Sequence, residues 1–121
     1  YELPGVRFAV SRTRPPAFVA PLGQEMGADL VPMGSAGAKC AAVWRGEVDA
    51  YIHAGGQYEW DSAAPVAIAC AAGLHTSRIN GEPLKYNCPD PLLPDLIVCR
   101  PELASQIIEG IARLISEVTD R

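Results

Sequence analysis

Apolar and polar residues alternate along the chain with two different periods. Five short segments have the two-residue alternation or the continuous apolar run of a β-strand; they span residues 6–10, 29–33, 49–53, 74–79 and 96–99. Four segments have the spacing of a helix with one apolar face; they span residues 15–27, 36–44, 61–72 and a last segment that begins at Pro101. Strands and helices follow one another in turn, which predicts an α/β fold with layered helices and a mixed, partly parallel sheet.

Prolines mark the interruptions in this pattern. Pro32 weakens the second strand, and Pro21 makes the first helix begin late or bend. Pro101 suits the first position of the last helix, whose apolar stripe is the most regular in the chain. That stripe consists of Leu103, Ile107, Ile108, Ile111, Leu114, Ile115 and Val118. Residues 80–95 contain Asn80–Gly81 and four prolines, which predict a long irregular loop.

Composition narrows the class of protein. The chain has 121 residues, of which 49% are hydrophobic and 20% charged, a mixture typical of one globular domain. No apolar run approaches the roughly 18 residues that cross a bilayer, so we expect no membrane partner and a cytoplasmic location. The formal net charge of −4 argues against binding to a nucleic-acid polymer.

The cysteines predict neither a zinc site nor a disulfide scaffold. The four are Cys40, Cys70, Cys88 and Cys99, and neither they nor the two histidines form closely spaced pairs. Three of them, Cys40, Cys70 and Cys99, lie in apolar segments, where we expect buried, reduced thiols.

The first candidate site is the turn between the second strand and the second helix. Small residues at Gly34, Ser35 and Ala36 let main-chain N–H groups approach an anion at a helix start. Lys39 would add a point charge for a phosphate. The alternative is an ordinary turn in which Ser35 is the N-cap and Lys39 is solvated.

The second candidate is Asp61, at the predicted start of the third helix. Its carboxylate suits a hard cation such as Mg²⁺, with Trp60 as a packed anchor beside it. The alternative is a helix N-cap, which the helix dipole favours.

The third candidate is the segment that follows the first strand. Ser11, Thr13 and the guanidinium groups of Arg12 and Arg14 suit a phosphate at the carboxyl end of a strand. The alternative is a solvated turn that supplies the N-cap of a helix. His53 and Tyr51 are expected to be ordinary packing residues of the third strand.

Several blocks, taken in order, resemble the C-terminal half of the inositol monophosphatase superfamily over residues 6–116. The blocks are Gly34–Lys39, Val48–Tyr51, Glu59–Ala64 and Ala71–Gly73. Within the superfamily the sequence is most similar to the CysQ-type 3′(2′),5′-bisphosphate nucleotidases, particularly the actinobacterial kind. This narrower similarity lies in Ser11–Arg14, in the turn at 34–39 and in the run Tyr58–Pro65.

The resemblance implies a role for each candidate residue in a magnesium-dependent phosphatase. Asp61 would be a metal ligand, and two or three Mg²⁺ ions are expected in the complete enzyme. The phosphate pocket would be lined by Gly34, Ser35 and Ala36, and nucleotide phosphates would be contacted by Lys39, Ser11 and Arg14.

The sequence also departs from the superfamily pattern. Inositol phosphatases usually carry a glutamate seven residues before the metal aspartate, and Ala54 stands there, which argues against inositol phosphate as substrate. Family nucleotidases often have histidine where Arg14 stands, and arginine differs in geometry and fixed charge. The N-terminal metal motif, D-P-x-D-G-T, is absent: Asp90–Pro91 lacks the rest of it.

These observations predict that residues 1–121 are the C-terminal, substrate-side α/β domain of a phosphatase whose N-terminal metal-binding half is not in this chain. The start at Tyr1 agrees with an incomplete chain, inactive alone. The expected reaction is removal of the 3′-phosphate from adenosine 3′,5′-bisphosphate, with its sulfated form as a further substrate.

Two other functions remain open. One is a broad inositol- or sugar-phosphate phosphatase with the same metal chemistry. The other is a non-catalytic fragment that binds anions or a partner. Either the missing half or a second copy of the chain is the expected protein partner, because a removed half leaves an apolar surface.

Overall fold

The computed structural model describes residues 5–86 and 92–119. The strands are β1 Val6–Ser11, β2 Ala28–Met33, β3 Ala50–Tyr58, β4 His75–Ser77 and β5 Leu92–Cys99. The helices are α1 Val19–Met26, α2 Ala36–Trp44, α3 Glu59–Ala71 and α4 Ala104–Thr119, the last preceded by a 3₁₀ turn at Pro101–Leu103. The alternation of strand and helix predicted from the sequence is confirmed.

The strands form one mixed sheet in the order β2-β1-β3-β5-β4. Both neighbours of β1 run parallel to it, whereas β5 pairs antiparallel with β3 and with β4. The carboxyl ends of β1 and β2 therefore meet at the same edge, at Ser11 and Met33, which are register partners. The predicted partly parallel sheet is confirmed.

Helices cover both faces of the sheet. On one face, Phe8 and Ile52 pack with residues of α1 and α4, including the fully buried Leu22 and Ile107. On the other face, a second apolar cluster joins the sheet to α2 and α3; it includes Ala9, Cys40, Val43, Tyr51, Val66, Ala69 and Val98. Neighbouring residues of each strand belong to different clusters because side chains alternate across a strand.

Asp49, in one of the superfamily-like blocks, has a structural role at the start of β3. Its carboxylate accepts hydrogen bonds of 2.8 Å from the main-chain N–H of Arg7 and from the Arg100 guanidinium. The side chain is buried. It therefore fastens the beginnings of β1 and β3 to the segment that follows β5.

Several element boundaries differ from the predicted ones. α1 begins only at Val19, so Pro21 falls in its first turn, where a missing N–H costs no hydrogen bond. β3 continues to Tyr58. β5 begins at Leu92, so the predicted loop over 80–95 ends earlier and Pro94 lies within a strand. Part of that loop, including Cys88, lies outside the described residues.

The cysteine prediction holds for two positions and is wrong for a third. Burial raises the pKa of Cys40 to about 11 and that of Cys99 to about 12, so both thiols are protonated. Cys70 is exposed, because its side chain leaves α3 on the side away from the sheet. Within residues 5–86 and 92–119, no helix is long and apolar enough to cross a membrane.

Candidate functional site

A pocket of about 260 Å³ opens at the edge of the sheet where β1 and β2 end. It is lined by Ser11, Arg14, Ser35, Ala36, Lys39, Tyr51, His53, Gln57 and Asp61. The three segments singled out in the sequence therefore converge on one cavity. Of the candidate residues named from the sequence, Arg12, Thr13 and Gly34 are not part of the lining.

The turn into α2 combines a cap with an unusual backbone. Ser35 is the N-cap, and its Oγ accepts a hydrogen bond of 3.3 Å from the N–H of Ala38. Its φ of 65° lies in the region that favours glycine. Among the described residues Ser35 is the one non-glycine with positive φ, and such strain is concentrated at binding and catalytic sites.

Lys39 is buried, so the alternative of a solvated lysine is wrong. Its side chain is 5% exposed, and Nζ donates a hydrogen bond of 3.1 Å to the carbonyl oxygen of Met33. Nζ also lies 5.2 Å from the centroid of the Tyr51 ring, within the range of a cation–π contact. Burial lowers the pKa of Lys39, with the nearby positive charge of Arg12 acting in the same direction. An anion in the pocket would oppose both effects.

The segment after β1 forms a turn and does not cap a helix. Ser11 Oγ accepts a hydrogen bond of 3.1 Å from the N–H of Arg14. α1 starts later, and its N-cap residue is Phe18. The segment after β1 therefore does not supply the N-cap of α1. The turn brings the exposed Arg14 to the pocket.

Asp61 lies in the first turn of α3, which begins at Glu59. Its Oδ2 accepts a hydrogen bond of 3.1 Å from the N–H of Tyr58, the N-cap residue. Asp61 is therefore not the N-cap itself, although it satisfies one of the unpaired N–H groups at the helix start. The residue is exposed and lines the pocket.

Trp60 is not the packed anchor expected from the sequence. It is 66% exposed and stacks on Tyr58, with ring centroids 4.4 Å apart and planes inclined by 6°. The small Ser62 is fully buried, and its hydroxyl contacts that of Tyr86 at 3.1 Å.

The wall formed by β3 includes a residue that the sequence did not point to. Tyr51 and His53 are buried as expected of strand residues, but both also line the pocket. Gln57, which carried no motif signal, lies beside them and donates to the Tyr51 hydroxyl at 3.5 Å. The sequence feature that could have indicated Gln57 is its position: it is a polar residue four positions after His53 and directly follows two glycines.

The residues present do not form a complete metal site. No group of three histidine, cysteine, aspartate or glutamate residues within 5–86 and 92–119 could hold a metal ion. Asp61 is the carboxylate in the pocket lining. One carboxylate fills only part of the octahedral coordination of Mg²⁺, so waters, substrate phosphate or further residues would have to supply the rest.

Fold and pocket together define a three-layer α/β domain whose pocket is lined by two cationic side chains, several hydroxyl groups and one carboxylate. The sequence profile of the inositol monophosphatase family matches residues 5–119, and the chain belongs to that family. The resemblance noted from the sequence is thereby confirmed.

The chain is also similar in sequence to individual members of the family. The 3′-phosphoadenosine 5′-phosphate phosphatase of Mycobacterium bovis is 55% identical over 111 residues, which are 91% of this chain and 42% of that protein. The protein of the same name from Mycobacterium leprae is 52% identical over 108 residues, 89% of this chain and 40% of its own length. The chain thus spans about two-fifths of these curated relatives.

Solved structures agree with this assignment. CysQ from Bacteroides thetaiotaomicron, a bacterial member of the inositol monophosphatase family, superposes with a TM-score of 0.73 at 32% identity. The match covers 83% of this chain and 39% of that one. Thermotoga maritima IMPase superposes with a TM-score of 0.75 over 96% of this chain and 44% of its own; at 18% identity it shows the fold alone.

Proposed function

We propose that this chain is the substrate-side domain of a phosphatase that removes the 3′-phosphate from adenosine 3′,5′-bisphosphate. The observation that carries the proposal is the single pocket in which Lys39, Arg14 and Ser35 face Asp61. The names of the curated relatives support the substrate. The reaction is hydrolysis. The oxygen of water bonds to phosphorus, and the bond between phosphorus and the 3′-oxygen of the ribose breaks. The 3′-oxygen takes up a proton from the water and becomes a hydroxyl.

The chain's own residues would bind and orient the phosphate esters. The Lys39 ammonium carries three N–H donors, of which one is used by the Met33 carbonyl, and the rest are available to phosphate oxygens. The Arg14 guanidinium adds a planar pair of donors at the mouth of the pocket. The start of α2 contributes the positive end of the helix dipole beside Ser35.

Asp61 is proposed as the one metal ligand that this chain supplies. The family is generally metal-dependent, and Mg²⁺ would polarise the phosphate and activate water. Since no group of three possible ligands occurs within residues 5–86 and 92–119, the remaining ligands are proposed to come from outside the described residues, in keeping with the share of the relatives that the chain spans. We therefore propose that the chain alone binds the substrate without hydrolysing it, and that the complete enzyme works in the cytoplasm.

The protein partner is proposed to cover apolar side chains that the described domain leaves in solvent. Trp60 and Ile68 of α3 are 66% and 52% exposed, more than large apolar residues usually are. The partner is either the rest of the phosphatase or a second copy of the chain. Light scattering of the isolated chain tests the second of these, since a monomer at high concentration excludes it.

The test of function is a substrate panel on the natural full-length product of the gene. The expected order has adenosine 3′,5′-bisphosphate first, ahead of inositol 1-phosphate and fructose 1,6-bisphosphate. Asp61→Asn should lower the rate about 100-fold, the effect of removing one preorganised charge from an active site. Glu47→Gln, an exposed carboxylate after α2, is the matched control and should leave the rate unchanged.

The alternatives predict other results in the same panel. Similar rates on all three phosphate esters would favour the broad sugar-phosphate phosphatase. Binding of the bisphosphate nucleotide without hydrolysis by the full-length product would favour the non-catalytic role. Either result contradicts the proposed function.

A further inference from the structure

One wall of the pocket presents hydrogen-bond acceptors, whereas the groups proposed to face the phosphate are hydrogen-bond donors. His53 is 5% exposed, and its Nε2 lies 3.3 Å from the carbonyl oxygen of Gly56. A carbonyl oxygen only accepts, so Nε2 must carry the proton. In the neutral ring Nδ1 is then a bare acceptor.

The Nδ1 atom of His53 is buried and has no hydrogen-bond partner. Most buried polar side-chain atoms in folded proteins do have a partner, so an exception in a pocket is a position where a group of a ligand, or a water molecule in its absence, would donate a hydrogen bond. Burial lowers the pKa of His53, the hydrogen bond to the Gly56 carbonyl opposes this, and the nearby charges of Arg14 and Lys39 lower it further, so the net shift favours the neutral ring.

Gln57 adds a second unpaired acceptor to the same wall. Its Nε2 donates to the Tyr51 hydroxyl, while Oε1 is buried without a partner. Both orphaned atoms, His53 Nδ1 and Gln57 Oε1, belong to residues that line the pocket. Ionised phosphate oxygens are acceptors and cannot satisfy them. The matching ligand group must carry an O–H or N–H donor.

The size of the pocket indicates which donor this is. A volume of about 260 Å³ is just below the range of pockets that enclose drug-sized ligands, so the pocket is of a size to hold a phosphate and a sugar. The donor must also lie near the phosphate, because Lys39 and His53 line the same small cavity. A hydroxyl on the sugar carbon next to the phosphate ester meets both conditions.

We propose that His53 Nδ1 and Gln57 Oε1 accept hydrogen bonds from the substrate hydroxyl adjacent to the phosphate ester. The inference rests on the proposed function and narrows it, since the substrate class becomes phosphate esters with a free vicinal hydroxyl. In adenosine 3′,5′-bisphosphate this group is the 2′-hydroxyl. The site would therefore distinguish ribonucleotides from deoxyribonucleotides.

The first experiment measures binding by the 121-residue chain. Calorimetry would compare adenosine 3′,5′-bisphosphate with its 2′-deoxy analogue and with the inosine analogue, which lacks the base amino group. The dissociation constant should rise about 10- to 100-fold for the deoxy compound and stay within about threefold for the inosine compound. ¹⁵N NMR of labelled histidine should show Nε2 protonated and the Nδ1 resonance moving only when the 2′-hydroxyl is present.

Two variants of His53 separate the acceptor from the general packing of the ring. In His53→Gln the amide nitrogen can replace Nε2 at the Gly56 carbonyl, but the Nδ1 acceptor is lost, so the ribo-to-deoxy preference should fall towards one. In His53→Asn a polar atom occupies the position of Nδ1, so the preference should remain. The NMR measurement on the unaltered chain stands even if a variant does not fold.

The outcomes distinguish this inference from the proposed function. Equal binding of the ribo and deoxy compounds overturns the hydroxyl contact and leaves the nucleotidase proposal intact. A loss confined to the inosine analogue also overturns it, because the donor is then the base. Failure of every nucleotide to bind, with inorganic phosphate still binding, overturns the proposed function itself.

Discussion

The ammonium group of Lys39 donates a hydrogen bond of 3.1 Å to the main-chain carbonyl of Met33, the last residue of β2. This bond fixes a buried cation at the point where the strand ends and the turn to α2 begins. Lysine side chains lose considerable rotamer freedom when they are held in one conformation. Here the geometry is set before a ligand arrives, so less of that cost falls on binding.

Replacing Lys39 should therefore weaken anion binding specifically. We expect Lys39→Met to raise the dissociation constant of adenosine 3′,5′-bisphosphate at least about tenfold, and to lower the free energy of unfolding by about 1 kcal/mol through the lost hydrogen bond. Arg45→Met removes the same charge from the exposed end of α2 and is the matched control. Equal losses in both variants, measured by calorimetry, would show that only net charge matters.

The N-cap at Ser35 predicts an unusual order of stabilities. Ser35→Ala loses the hydrogen bond from the Ala38 N–H but keeps the Cβ at positive φ, and should lower the free energy of unfolding by about 1 kcal/mol. Ser35→Gly loses the same bond and relieves the backbone strain, so it should be nearly as stable as the original chain. Chemical denaturation gives both values. A glycine variant less stable than the alanine variant contradicts this account.

The burial of His53 predicts that stability decreases in mild acid. Its pKa is lowered by folding from an ordinary value near 6.5, so below that pH the unfolded chain binds the proton more readily. Stability is fully present above pH 6.5 and falls as the pH drops, with a slope of up to about 1.4 kcal/mol per pH unit for one proton.

The contributions of His53 and His75 to the pH dependence of stability can be separated in the same measurement. Urea denaturation from pH 7.5 to 5.5 should show a smaller slope for His53→Gln than for the original chain. Burial lowers the pKa of His75 as well, though that residue is only partly buried, so His75→Gln should reduce the slope less. An unchanged slope in His53→Gln would mean that the ring takes up its proton freely in the folded state.

Two helical glycines should respond in opposite ways to alanine. A Cβ at Gly110 of α4 would lie 2.6 Å from Cδ1 of the fully buried Leu22, so Gly110→Ala should push α1 and α4 apart and cost about 1–3 kcal/mol. A Cβ at Gly37 of α2 would meet Pro65 and Ser35 at 3.7 Å, an ordinary contact. Gly37→Ala should gain up to about 1 kcal/mol from helix propensity. Thermal unfolding of the two variants checks the contrast in sign.

The sequence predicted the parts of the site that lie next to element ends. Ser11, Ser35 and Asp61 each follow or begin a periodic segment, and the parallel pairing of β1 and β2 brings such ends together. The burial of Lys39 could not be predicted, because it depends on the Met33 carbonyl and the Tyr51 ring, which only the folded chain brings within reach. The expectation that Trp60 is a packed anchor was wrong for the same reason, because the local sequence pattern does not show which side chains the folded chain brings together.

The register of β3 limited the prediction further. Periodicity identified its first residues, 49–53, and then failed where the pairing with β5 shifts between Ala54 and Gln57. Gly55 and Gly56 have φ values of 105° and 88° there, a conformation that breaks the two-residue alternation. Gln57 was missed because its face depends on that shift.

The irregular pairing between β3 and β5 also has an evolutionary consequence. Between Ala54 and Gln57, β3 has one residue more than the opposing stretch of β5. A single insertion or deletion at this point would turn Gln57 to another direction, whereas Lys39 lies in α2 and Ser11 at the end of β1, two elements that the change would not touch. If β3 contacts the alcohol part of the substrate as proposed, changes to a few of its residues would alter the choice of alcohol without altering Lys39 or Ser11.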